Sequence, residues 1–186
     1  MTGPLAVFIG PMGAGKTRIG KRVARALDVP FTDTDKVIVA AHGPIAEIFD
    51  EHGEPHFRAL ERDVVREALT SPGIVSLGGG AVLAAETQRL LAELPVVYLQ
   101  VDADAVTARL ADGKRPLVRG GIEDWQRIYD ARRATYESLA SVTFDTSRLP
   151  RDRIAQDVVA WITSRDAAPR SAQGSAQGSA QRSETR

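Results

Sequence analysis

The sequence predicts an α/β fold: a five-stranded parallel sheet flanked by helices. Three observations carry this. Five short apolar runs, at residues 5–9, 29–32, 74–77, 96–100 and 142–145, have the length and composition of strands. Helical periodicities separate them, the alternation that lays strands parallel under covering helices. The first run also passes directly into a glycine-rich turn and then a helix, an arrangement typical of the carboxyl edge of such a sheet.

Taken in order, residues 5–9 (LAVFI) are apolar without a break, as befits a strand buried on both faces. Gly10 to Thr17, GPMGAGKT, fits G-x-x-x-x-G-K-[ST]. Gly10, Gly13 and Gly15 let the backbone curl with its N–H groups inward around a polyphosphate, and the following helix adds its positive end. Lys16 can reach the β- and γ-phosphates, and Thr17 can set its hydroxyl on Mg²⁺. Ile19, Val23, Ala26 and Leu27 then recur at helical spacing.

The second run is short, the weakest of the five, and leads into FTDTD. In an extended chain Asp33 and Asp35 face the same side, so two carboxylates can meet one metal or one hydroxyl. Asp33 or Thr34 also suits the N-cap of a helix over 36–41. About 40 residues without a strand follow, with helix-like stretches at 45–49 and 57–69. One crossover helix needs less, so residues 34–70 read as a subdomain inserted over the carboxyl end of the sheet. Within it Arg58 and Glu61 stand one turn apart, which by itself describes only a surface ion pair.

Gly78-Gly79-Gly80 after the third run permits close backbone approach to a ligand. DGKRPLVRGG, residues 112–121, has three glycines, one proline and three basic residues, and suits a mobile lid bearing Arg115. The helix beyond it carries Arg132 four residues before Tyr136. Residues 167–186 form a polar SAQG-type repeat that cannot repay its ordering entropy, so a disordered tail is expected beside one domain over 1–166.

Composition narrows the class. With 186 residues and 43% hydrophobic content, one domain can bury a substantial core. Twenty-four basic residues balance 24 acidic ones, so net charge favours neither nucleic acid nor membrane as a partner. No cysteine means no disulfide framework and no thiolate metal site. No apolar run is long enough to cross a bilayer, and the N-terminus enters the first strand with no room for a signal peptide. A cytoplasmic monomer is expected.

The ordered set GPMGAGKT, FTDTD, GEPHFRALE, SLGGG, the RPL of the lid and RRATYESLA resembles shikimate kinase over about residues 5–163. The resemblance implies a P-loop kinase fold of the nucleoside-monophosphate-kinase type and transfer of the γ-phosphate of ATP to the 3-hydroxyl of shikimate, in aromatic amino-acid biosynthesis. It implies that Gly13, Ala14, Gly15, Lys16 and Thr17 hold the phosphates, and that Thr17 and Asp33 serve Mg²⁺. Asp35 takes shikimate hydroxyls and is the base or the orienting group. Arg58 and Arg132 pair with the substrate carboxylate, and Glu61 orients Arg58. Gly79 offers its N–H to a substrate hydroxyl, Phe49 and Phe57 wall the ring, and Arg115 closes on the phosphates. Arg109, Arg148 and Pro150 resemble adenine-contacting positions. Arg133 adjoins Arg132; the spacing to Tyr136 selects Arg132. Two other readings compete: a kinase for another small hydroxy acid such as gluconate, and a nucleotide switch acting on a protein partner. The switch leaves Asp35, Arg58 and Arg132 without a purpose.

Overall fold

A computed structural model describes residues 3–111 and 121–167. Five strands, β1 (Pro4–Ile9), β2 (Phe31–Asp33), β3 (Gly73–Ser76), β4 (Val96–Gln100) and β5 (Val142–Asp145), pair in parallel in the order β2-β3-β1-β4-β5. The helices of the described residues are α1 (Lys16–Ala26), α2 (Thr34–His42), α3 (Ile45–Ala68), α4 (Ala85–Leu91), α5 (Ala103–Ala111), α6 (Gly121–Leu139) and α7 (Arg151–Ala167), with one 3₁₀ turn at Ala81–Leu83. This is the expected class. The lid segment with Arg115, at 112–120, and residues 168–186 of the expected tail lie outside the described residues.

The strands sort by burial as their composition dictates. β1 is central, and Ala6, Val7, Phe8 and Ile9 are buried on both faces. β4 is equally apolar at Val96, Val97 and Leu99. Each such side chain contributes about 1.5–3 kcal/mol of burial free energy. β5 lies at the edge and alternates half-buried Val142 and Phe144 with exposed Thr143 and Asp145. The second strand begins later than its apolar run suggests. Pro30 has no N–H for the ladder, so the strand runs 31–33, and Pro30 contributes only its carbonyl, which accepts from the Ile74 N–H.

The two helix-like stretches between β2 and β3 are halves of one interrupted helix, α3. Gly53 breaks it at φ 78, ψ 169, and Pro55 follows where its missing N–H does least harm. Both halves pack with α2 around a small separate core, Ile38, Ile48 and Phe57 with Phe49, Leu60 and Val64 against them. Val65 and Ala68, further along, join the main core instead.

Register places the site. Asp33 stands opposite Ser76, and Ser76 opposite Phe8, so β1, β2 and β3 end at one level. β1 sits between β3 and β4, where the chain reverses its direction of travel across the sheet. The crevice outside the carboxyl ends at such a point is where these sheets bind ligands.

Candidate active site

The loop leaving β1 is fixed by packing. Gly10 adopts φ 134, and any Cβ there would run into the Leu99 carbonyl of β4. Gly15, at φ 92, precedes the first residue of α1. Four successive loop carbonyls point at donors. Lys16 Nζ donates to Gly10 O at 2.7 Å and Pro11 O at 3.0 Å. Trp125 Nε1 donates to Met12 O at 2.9 Å, and Arg109 Nη1 to Gly13 O at 2.9 Å. With its carbonyls turned to these donors, the loop and the first turn of α1 can present N–H groups to an anion.

At the neck of this loop Thr17 Oγ1 donates to Asp33 Oδ2 at 2.6 Å. Asp33 ends β2 and caps α2, its Oδ1 accepting from the Lys36 N–H at 3.3 Å. A hydroxyl and a carboxylate oxygen this close are hard ligands of the kind Mg²⁺ takes when waters and phosphates complete its octahedron. The donor set therefore fits that ion.

The extended geometry expected for Asp33 and Asp35 is not what forms. Because Asp33 caps the helix, α2 starts at Thr34 and Asp35 lies in its first turn. Both carboxylates nevertheless act on Lys16. Burial pushes the Lys16 ammonium down from 10.5 to about 8; Asp35 and Asp33 pull it back up, and Arg132 pushes it further down. One charge cluster thus joins the phosphate loop to the far wall of the cleft. A consequence is measurable. Bound polyphosphate adds negative charge beside Lys16 and restores its proton, so ATP affinity should fall as pH rises above about 8. Calorimetry at pH 8.5 in buffers of different ionisation heat should then show proton uptake on ATP binding, absent in Lys16→Arg. Equal heats across buffers in the unaltered protein would remove this assignment.

The opposite wall is built from α3, α6 and the glycine turn after β3. Arg58 Nη1 donates to Glu61 Oε2 at 2.6 Å, while its Nε and Nη2 reach Glu54 Oε1 at 3.2 and 3.1 Å. This is no surface pair: Glu61 is buried, and burial raises its pKa against the pull of Arg58. The glycine turn has steric reasons for its composition. A Cβ on Gly78 would stand 2.5 Å from Asp35 Oδ1 and 2.9 Å from Glu61 Oε1, and one on Gly80 would collide with the Arg58 guanidinium. Only bare backbone lets these charged groups close over the turn. The Gly78 N–H donates to Thr34 Oγ1 at 3.2 Å, and the Gly79 carbonyl accepts from the Tyr136 hydroxyl at 2.5 Å.

On α6 the neighbours separate cleanly. Arg132 lies half-buried against the Tyr136 hydroxyl and within the field of Lys16 and Glu61. Arg133 is exposed and donates to Glu137 at 2.7 Å. Phe57 is buried in the α2–α3 core, its ring 4.7 Å from that of half-buried Phe49 and 5.2 Å from the Arg58 guanidinium carbon. Phe57 is therefore as much packing as wall. On the nucleotide side Arg109 also donates to the Thr146 carbonyl, which ties it to the loop bearing exposed Arg148 and Pro150. Ala14, within the phosphate loop, is buried.

Sequence reading missed two residues of this site. Glu54 had a usable signal, an acid four residues before Arg58 on a helix. Trp125 had none, because nothing in a helical pattern names the partner of an indole N–H.

The cleft thus brings a phosphate loop, a Thr–Asp pair suited to Mg²⁺, and two arginines beside a carboxylate cluster around one backbone turn. That combination suits transfer of a phosphoryl group to a small anionic acceptor. Comparison with known proteins agrees. The shikimate kinase family profile matches residues 12–163. A shikimate kinase of Rhodococcus jostii is 43% identical over 162 residues, 84% of this chain and 96% of that protein. One from Thermobifida fusca is 45% identical over 157 residues, covering 82% and 91%. Among solved structures, shikimate kinase from Acinetobacter baumannii in complex with shikimate aligns at TM-score 0.79 and 29% identity, over 90% of this chain and 97% of that one. A gluconokinase from Sinorhizobium meliloti, at TM-score 0.62 and 20% identity, shares the fold.

Proposed function

This chain belongs to the shikimate kinase family, and from that premise we propose how its own residues divide the work. The reaction moves the γ-phosphoryl group of ATP to the 3-hydroxyl of shikimate and yields shikimate 3-phosphate and ADP. The bond from the γ-phosphorus to its bridging oxygen breaks as the bond to O3 forms. The loop from Gly13 to Thr17 holds the phosphates, with Lys16 leaving the Gly10 and Pro11 carbonyls to meet charge on the transferred group. Thr17 and Asp33 would hold Mg²⁺, which when bound screens the phosphate charges. Asp35 accepts the hydrogen bond of the attacking hydroxyl and orients it. Arg58, braced by Glu61, and Arg132 take the substrate carboxylate. Gly79 offers its N–H to a ring hydroxyl, while its carbonyl, in the next peptide, is held by Tyr136. Phe49 lies along the ring, backed by Phe57. Arg109, Arg148 and Pro150 border the adenine, and Arg115 closes on the phosphates as the lid descends. The protein works as a monomer in the cytoplasm, as one domain followed by a tail from about residue 167.

The observation carrying this reading is the packing of Arg58, Glu61 and Asp35 onto Gly78 and Gly80, beside Lys16. A nucleotide switch has no use for it. Calorimetric titration with shikimate and with its methyl ester tests the carboxylate role directly. Shikimate should bind one to one and the uncharged ester should not; equal affinity for both would overturn the assignment of the arginines.

A further inference from the structure

One face of α6 carries Trp125, Tyr129, Arg132 and Tyr136 at helical spacing. The three aromatic side chains are buried and continue into Tyr98 of β4. The Trp125 and Tyr129 rings lie 5.2 Å apart. The Tyr129 and Tyr98 hydroxyls are 2.8 Å apart, and the Tyr98 and Tyr136 rings stack at 5.4 Å. At one end the Trp125 N–H holds the Met12 carbonyl of the phosphate loop; at the other the Tyr136 hydroxyl holds the Gly79 carbonyl. Those two loops face each other, since a Cβ on Gly79 would stand 3.6 Å from Gly10 O and 3.8 Å from Met12 N.

A buried aromatic fills volume wherever it sits, but its polar atom must find a partner. Here the partners at both ends are backbone carbonyls of loops that have no regular structure to hold them. We infer that α6 is the mount that sets the phosphate loop against the glycine turn, with Trp125 and Tyr136 as positioning residues. Trp125 turns the Met12 peptide so that its neighbours face the nucleotide. Tyr136 holds the Gly79 carbonyl, which fixes the Gly79–Gly80 peptide and with it the Gly79 backbone whose N–H faces the acceptor. Because one rigid helix carries both, with Arg132 between them, the spacing of donor phosphate and acceptor hydroxyl is fixed by a single element. Such spacing governs the phosphoryl-transfer step itself.

The inference rests on the cleft being the site of transfer to shikimate. Wild-type turnover measured in the same assay separates the two: if it is absent, the functional reading has failed, not this one. Trp125→Phe and Tyr136→Phe each delete one donor and keep an aromatic ring. Trp125→Phe should raise the KM for ATP about 3- to 10-fold, the range of one hydrogen bond, with shikimate affinity unchanged. Tyr136→Phe should do the reverse, raising the KM for shikimate by a similar factor and leaving ATP affinity unchanged. Both should lower kcat. In a Trp161→Phe background, Trp125 emission should shift when ADP binds. A simple packing role predicts something else: lower melting temperatures with both KM values unaltered at 25 °C. That result, or both variants raising both KM values alike, would overturn the inference.

Discussion

Lys16→Ala leaves a folded protein whose turnover is lower by about 10²- to 10³-fold, the cost of removing one preorganised donor from a transition state. The loss falls on kcat, because the charge Lys16 meets grows as the phosphoryl group transfers. The fold survives because, among the described residues, the Lys16 ammonium makes two hydrogen bonds, both to loop carbonyls. Its ammonium is also held against its preference, since burial drives it down to about 8. Deleting it removes that desolvation cost, so the melting temperature should stay level or rise slightly. Circular dichroism and a coupled ADP assay check the two halves separately. Near-normal turnover in a folded variant would dismiss the loop as the phosphate site.

The second large effect concerns the acceptor. Arg132→Lys keeps the charge and loses the planar fork, so shikimate affinity should fall about 10- to 100-fold while ATP affinity holds. Arg58→Lys should do the same and also destabilise the fold, because buried Glu61 loses a 2.6 Å partner. Arg133→Lys should be silent, its side chain being exposed and paired with Glu137. The inverse pattern, damage at 133 and none at 132, would reassign the carboxylate contact to the neighbour.

How legible this was in the sequence differs by element. β1, β4 and the phosphate loop were plain, because burial on both faces demands unbroken apolar runs and the loop demands glycine at fixed offsets. β2 was displaced because a proline's effect on a ladder outweighs the apolar character of the residues before it. Arg58 and Glu61 looked like a surface pair, since spacing along a helix says which residues meet but not which face is covered. The cover comes from Gly78 and Gly80, twenty residues away. The Trp125–Met12 and Tyr136–Gly79 bonds were out of reach for the same reason: their partners are backbone atoms of other elements, and no side-chain pattern records a backbone carbonyl.

The central claim is that this cleft joins the γ-phosphoryl group of ATP to a hydroxyl of shikimate. Phosphorus NMR of the protein with ATP, Mg²⁺ and shikimate tests it most directly, with gluconate as the parallel acceptor. The account predicts ADP and one new phosphomonoester, in equal amounts, that couples to the proton at C3 of shikimate and forms far faster than any gluconate ester. ADP appearing with free phosphate whether or not shikimate is present, or an ester formed preferentially on gluconate, would contradict it.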